Sequence, residues 1–442
     1  MDILIPTVPA LAKGFRVEQL GSGTVAFRSA DRLHIWPGKI FRDIGLLLDS
    51  TQSARQILAG LQTEHDAAEA IRALHQLSHH SLLVQRIEHA ALPATTQPVT
   101  FGPADAPYRT CIQFVLAAGA SGEGYYVYGK GWDEAAARTG CVAESVERHS
   151  LYCTSNDRRV RLSANEIREC AVPTAALLPP GEARDLDEAT EWTPAYSPTS
   201  RSTRYLPATY CYFNVPGRRV GQISPDSTGC AAGETLEAAA LGGFFEIIER
   251  DSLRQWWLGK NVGRLVRTEG FTSGPIAETG RYLKTLGRNL VLIDITSGAG
   301  VPAFVALSFT ATGRGLLGSA AHFDAPAAMQ SAVLELGLAL NWSKMVRVGP
   351  LALSPEMRYG PGAYVETRHP RAADGYRSDK NAHGPNGLDA AVELMRGTGR
   401  ELLLLDTTRP GAQYATVRVT VPGLFRFNPG KVYRMAESGC GK

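Results

Sequence analysis

Two short stretches carry residue types from which chemistry can be built: Glu144-Ser145-Val146-Glu147-Arg148 and Glu246-Ile247-Ile248-Glu249-Arg250. Each reads Glu-x-x-Glu-Arg and ends a run of small and apolar residues. Three-residue spacing puts both carboxylates of a pair on one helix face, about one turn apart. Two such faces turned toward each other would form a four-carboxylate site rimmed by two arginines. Like charges that close repel, so cations must hold them together. Hard oxygen ligands favour Mg2+ or a similar ion, and arginine binds phosphate through paired hydrogen bonds. A lone Glu-x-x-Glu is ordinarily a solvated helix face. Here Val142, Ala143 and Val146 flank the first pair, and Phe244, Phe245, Ile247 and Ile248 the second. Charges embedded in such helices cannot all face water.

The elements that position these pairs follow from periodicity. A helix is expected from about Asp133 to Tyr152, and another from Glu234 to Trp257, opened by the small-residue turn Ser227–Gly233. Strand patterns cover Cys111–Leu116, Gly124–Tyr128, Tyr210–Val215, Leu290–Thr296, Val301–Leu307, Leu316–His322, Glu401–Asp406 and Tyr414–Val421. A helix containing Glu335 follows the third of the apolar strands, and a last helix spans Gly387–Arg396. Residues 171–208 lack clear periodicity, and a polar loop is expected over 360–388. Gly129-Lys130-Gly131 lets a backbone and an ammonium approach an anion, although such a triplet is commonly a turn. Strands alternating with helices, several strands adjacent, predict an α/β body.

The first ninety residues differ. Phe15, Val17, Val25, Phe27, Leu33 and Ile35 alternate as short strands. Ile40, Phe41, Ile44, Leu47 and Leu48 make a helical stripe. Ser53 caps a second helix with Ile57, Leu58 and Leu61. Ala67, Ile71, Leu74 and Leu77 mark a third, and Ser81–Val84 a returning strand. This order predicts a winged-helix-like domain over 1–88. A Pro- and Thr-containing linker is expected at 89–107, before a body at 108–442. The small domain's helices carry little positive charge, which argues against nucleic acid. An extended peptide adding a strand to its sheet edge suits it better.

Composition narrows the classes. The 442 residues have room for about two or three domains. A net charge of +3 gives no reason to expect a nucleic acid or a membrane surface. No apolar run approaches the ~18 residues of a span, and the N-terminus lacks a signal-peptide pattern. Seven scattered cysteines without a C-x-x-C pair are expected to be free thiols in a cytoplasmic protein. A di-iron site would need Glu-x-x-His on bundle helices, yet Glu366-Thr367-Arg368-His369 precedes Pro370 in the expected loop. His322 and Cys230 show no spacing that makes a thiol–imidazole couple.

Taken together, the motifs resemble the YcaO family over about 108–434. The carrying segments are Gly129-Lys130-Gly131, the two Glu-x-x-Glu-Arg helices, Ala231–Ala238, Trp256-Trp257, Asp294–Thr296 with Gly300–Pro302, Gly318-Ser319-Ala320 and Val421–Leu424. The N-terminal module resembles the leader-peptide recognition domains of peptide natural-product pathways. The resemblance implies a YcaO-type domain of mixed sheets and helices and an ATP- and Mg2+-dependent enzyme acting on backbone amides. Its azoline-forming members cyclodehydrate Cys, Ser or Thr of a ribosomally made precursor peptide, as in bacteriocin and antibiotic biosynthesis. By position, Glu144, Glu147, Glu246 and Glu249 would hold Mg2+. Arg148, Arg250, Lys130 and Glu335 would serve the nucleotide.

The chain departs from the family pattern at Gly140, Ala231, Glu234, Ala238, Gly242 and Ser331, where members commonly carry polar nucleotide contacts or an arginine. Either ATP binds through altered contacts, or the chemistry does not use ATP in the usual role. The expected function is thus a peptide-modifying cyclodehydratase acting with a precursor peptide, a flavin-dependent dehydrogenase partner and a second copy of itself. The alternatives are an ATP-degenerate subunit of a dehydrogenase-associated or thioamidating complex, and a non-catalytic leader-binding scaffold.

Overall fold

The computed structural model describes residues 97–427 except 117–123, 155–156, 164–165, 168, 180–189, 218–222, 224, 311–314, 348–364 and 373–386. Of the first 96 it describes residues 9–11, 16–21, 24–28, 33–37, 39–48, 54–61, 70, 73–74, 77 and 83–85. In this N-terminal part, β1 (Pro9–Leu11) pairs antiparallel with β5 (Leu83–Gln85). Between them β2 (Arg16–Gly21), β3 (Thr24–Arg28) and β4 (Leu33–Pro37) form an antiparallel meander. Helices α1 (Lys39–Leu47) and α2 (Ala54–Leu61) follow, and Ala70, Ala73, Leu74 and Leu77 lie in helical turns. Val25, Phe27, Ile40, Ile44, Leu48, Ile57, Leu61, Leu74 and Leu77 share a core that, among the described residues, draws on none of the body. The expected cap Ser53, Ala67 and Ile71 of the third helical pattern, and Ser81 and Leu82 lie outside the described residues.

The body begins with an antiparallel sheet of β6 (Val99–Phe101), β7 (Arg109–Leu116) and β8 (Gly124–Gly131). Pairing therefore starts at Val99, inside the stretch 89–107 expected as a linker. Gly129-Lys130-Gly131 is no turn but the end of β8. Helix α3 (Glu134–Ser150) packs directly on it, capped by Asp133, whose side chain accepts from Ala136 N. A Cβ at position 129 would lie 1.9 Å from the Ala137 carbonyl oxygen, so glycine sets how close helix and strand approach.

Two larger sheets follow. One runs β11 (Ser202–Pro207), β10 (Glu191–Ser197), β18 (Leu403–Asp406), β19 (Ala415–Thr420), β12 (Cys230–Gly233), with β9 (Val160–Arg161) beside β10. The other runs β16 (Gly315–Ala321), β15 (Ala303–Phe309), β14 (Val291–Asp294), β13 (Gly263–Arg267), β17 (Val365–Ala372). Helix α4 (Leu236–Trp257) lies between them. Its Phe244, Ile247, Ile248, Leu253 and Trp256 join a core with Ile293, Val305 and Leu307 of one sheet and Leu404, Val417 and Val419 of the other. Helices α5 (Gly274–Thr285) and α6 (Ala325–Arg347) cover the far face of the second sheet through Leu283, Met329, Val333 and Leu336. Helix α7 (Gly387–Gly397) packs on α4.

Several sequence expectations are corrected. Residues 171–208 contain the β10–β11 hairpin, hidden because Thr193 and Ser197 are as buried as Trp192 and Ala195, which blurs the alternation. Tyr210–Val215 is not a strand: Ala208–Cys211 is one helical turn after Pro207, and buried aromatics gave it a strand-like composition. The turn expected at Ser227–Gly233 holds strand β12, and α4 starts after its cap Thr235. Strand β17 lies inside the expected 360–388 loop and includes Glu366 and His369.

Candidate active site

The two acidic pairs are built by the same device. Strand β8 leads through the cap Asp133 into α3, and β12 leads through Thr235 into α4. Glu144 and Glu246 each stand eleven residues after their cap. β16 leads to a third such unit, in which Asp324 Oδ2 accepts from Ala327 N at 3.2 Å at the start of α6. Glu335 stands eleven residues after Asp324. Both α3 and α4 touch β12 and β19, which brings the two acidic faces together.

The hydrogen bonds repeat as well. Glu144 Oε2 accepts from Tyr128 N at 3.1 Å and Glu246 Oε2 from Gly229 N at 3.0 Å. Arg148 Nη2 reaches Glu144 Oε1 at 3.4 Å, and Arg250 Nη2 reaches Glu246 Oε1 at 3.3 Å. Each arginine also faces the second glutamate of its pair, at 3.9 Å for Glu147 and 3.8 Å for Glu249. Ser319 of β16 donates to Glu249 Oε1 at 2.7 Å, and Lys130 pairs with Glu335. All eight residues singled out in the sequence thus come into one neighbourhood.

Electrostatics show how costly the arrangement is without cations. Burial raises the Glu147 carboxyl well above its ordinary range; Arg148 offsets part of this, and Glu246 and Glu144 raise it further. Burial pushes Glu249 up to about 7, against the opposing pull of Arg250. Glu144 and Glu246 are raised by burial too. Burial alone would lower the Lys130 ammonium, but Glu335 raises it.

The residues fit magnesium and a polyphosphate. Among the described residues no three His, Cys, Asp or Glu side chains converge on one point, so the four carboxylates form two pairs and not one cage. That suits Mg2+, which keeps waters and takes one or two carboxylates plus substrate phosphates. The buried Arg148 Nε and Arg250 Nε make no hydrogen bond among the described residues and face the Glu147 and Glu249 carboxylates at 3.9 and 3.8 Å. A cavity of about 340 Å3 opens beside Glu249, Arg250, Ser319 and Glu335, and is lined also by Tyr128 and Trp342. Trp342 Nε1 donates to Tyr128 Oη at 3.2 Å.

The departures from the family pattern also find places. Gly242 lies where α4 crosses β12, and a Cβ there would be 3.2 Å from the Ala231 Cβ. Ala238 and Gly242 are exposed, one turn apart along the α4 face that continues into Glu246, and Glu234 is exposed just before the cap Thr235. Small residues therefore leave open the approach that polar side chains would line. His322 acts at its strand end, where Nδ1 accepts from Asp324 N at 2.8 Å, and Cys230 is buried in β12.

Sequence reasoning did not single out Arg418 of β19. It is 1% exposed and lies beneath the acidic faces. The alternation Thr416-Arg418-Thr420 reads as a solvated strand face, whereas all three side chains are buried. Among the described residues, no helix is long and apolar enough to cross a membrane.

Comparisons with known proteins point to the same fold and family. A family model described as YcaO cyclodehydratase, ATP- and Mg2+-binding, matches residues 128–425. A solved heterocyclase in complex with substrate and cofactor superposes with a TM-score of 0.67 at 16% identity, covering 95% of each chain. The E. coli microcin synthetase McbBCD complex contains a chain with a TM-score of 0.54 at 12% identity, covering 75% of this chain and 88% of that one. An uncharacterized protein in the tfuA 3' region of Rhizobium leguminosarum bv. trifolii is 26% identical over 195 residues, 40% of this chain. The match spans 44% of that relative's length.

Proposed function

The chain belongs to the YcaO cyclodehydratase family, and from that premise we propose that it converts Cys, Ser or Thr of a ribosomally made precursor peptide to azolines. The observation that carries this reading is the facing of two Glu-x-x-Glu-Arg helices, with Lys130 and Glu335 beside them. In this reading Glu144, Glu147, Glu246 and Glu249 hold Mg2+, and Arg148, Arg250 and Lys130 bind the phosphates. Bound ATP supplies the phosphoryl group that turns an amide oxygen into a leaving group.

The chain's own residues then bind and orient. Arg148 and Arg250 are aimed by their contacts to Glu144 and Glu246, so their guanidinium groups are held in place to meet phosphate. Ser319 and the Tyr128 and Gly229 amides fix the carboxylates. Catalysis of this kind rests on positioning and charge neutralisation. The N-terminal domain, residues 1–88, would hold the leader, and a flavin-dependent dehydrogenase would oxidise azoline to azole.

A second reading, an ATP-degenerate subunit, is favoured by the small residues Ala231, Ala238 and Gly242 along α4. Mass spectrometry of a candidate precursor peptide separates the two. ATP- and Mg2+-dependent loss of one water per modified residue supports cyclodehydration by this chain. Unchanged peptide mass, with tight binding of its leader, would sink it in favour of the subunit that does not itself cyclise the peptide.

A further inference from the structure

We propose that Arg418 is a positioning residue for the metal-binding face: it clamps the turn Asp226–Gly229, whose amide holds the Glu246 carboxylate. The consequence for metal rests on the site assignment above. The Arg418 guanidinium donates to Thr228 O at 3.4 Å and, through Nη2, to Asp226 O. Its carbon sits 5.4 Å from the centroid of the Tyr210 ring. The next residue, Val419, donates its amide to Gly229 O at 2.7 Å. Gly229 has φ +80°, and a Cβ there would lie 2.2 Å from Val419 O, so only glycine closes the turn this tightly. Asp226 braces the same turn, accepting from Thr228 N at 3.0 Å and pairing with Arg426 at 3.1 Å.

The two acidic helices differ in what supports them, and the difference explains why a clamp is needed. Glu144 takes its amide from Tyr128, within β8, where the ladder to β7 fixes the backbone. Glu246 takes its amide from Gly229, which precedes β12 and belongs to no strand. The second face therefore lacks the support that the first has. Arg418 and Val419 supply it from β19, directly beneath.

A buried guanidinium is expensive unless its charge is matched. Arg418 spends its two hydrogen bonds on carbonyls, and its Nε has no partner among the described residues. It thus acts on the second acidic helix, on Glu246 through the turn. Its permanent charge and forked donors suit this role, which a single ammonium would fill only in part.

The test uses the full chain with ATP and with Mn2+ as a spectroscopic probe for the metal, read by electron paramagnetic resonance. Amide hydrogen exchange over Thr228–Cys230 is read in parallel. Arg418→Gln is expected to speed exchange in the turn and to raise the Mn2+ half-saturation about tenfold, with Arg418→Lys between it and the native chain. Met395→Ala, a core truncation on α7, is the control; it is expected to lower Tm and move neither readout. Unchanged turn protection in Arg418→Gln, or an Mn2+ affinity equal to that of Met395→Ala, overturns the proposal. If Arg418→Gln does not fold, Arg418→Lys carries the same two readouts. If the native chain takes up no Mn2+, the metal assignment fails, and the clamp then stands or falls on exchange alone.

Discussion

Lys130 of β8 is ion-paired with Glu335 of α6, 205 positions away in the chain. The pair joins the first strand–helix unit of the site to the third, and places a cation beside Glu144 and Glu249. Both side chains are about one-third exposed, at 31% and 37%. Its worth to folding is therefore modest, about 1 kcal/mol or less.

Binding is expected to depend on this pair far more than folding does. Lys130→Met is expected to weaken ATP binding about tenfold or more, the loss of one charge-assisted contact. Tm is expected to change little. Calorimetry on Lys130→Met, Glu335→Gln and the double variant measures the coupling, and strictly additive losses would show that the two act apart.

Acidity gives a second expectation. The Glu249 carboxyl, ordinarily near 4.5, is raised to about 7 by burial. A folded-state value above the unfolded one means that this group's stabilising contribution is complete below about 4.5 and is lost as pH rises through about 7. Without ligand, the Tm difference between Glu249→Gln and the native chain is expected to grow in the variant's favour from pH 5 to pH 8. Mg2+ with ATP is expected to close the gap by stabilising the native chain alone. A Tm difference independent of pH would contradict the assignment.

Packing gives a third. A Cβ at Gly129 would meet the Ala137 carbonyl at 1.9 Å and Cys141 N at 2.4 Å, both backbone atoms of α3. Gly129→Ala is expected to displace α3 and to cost about 1–3 kcal/mol or more. Thermal melts check this; an unchanged Tm would mean that helix and strand do not pack as described.

Much of this site was legible in the sequence because its signals are local. Helices α3 and α4 carry caps, 3.6-residue periodicity and duplicated acidic motifs within single windows. The apolar strands β14, β15 and β16 were equally clear. What stayed hidden depends on tertiary burial. Thr193 and Ser197 are buried polar residues, so the β10–β11 hairpin shows no alternation. Cys230–Gly233 is small because α4 crosses it, and small residues read as a turn. Arg418 looks like a solvated strand residue until Asp226, Thr228 and Tyr210 close over it. The pairing of Lys130 with Glu335 needed the fold, since nothing local links residues so distant.

The central claim is that the paired carboxylates of α3 and α4 bind metal and nucleotide together, and one measurement tests it most directly. ATP binding is titrated with and without Mg2+ on the native chain, Glu147→Gln and Glu249→Gln. Both substitutions remove a buried charge, so both variants are expected to be at least as stable as the native chain. Mg2+-dependent ATP binding is expected in the native chain and is expected to be lost from both variants. Native-like, Mg2+-dependent binding in both would contradict the account.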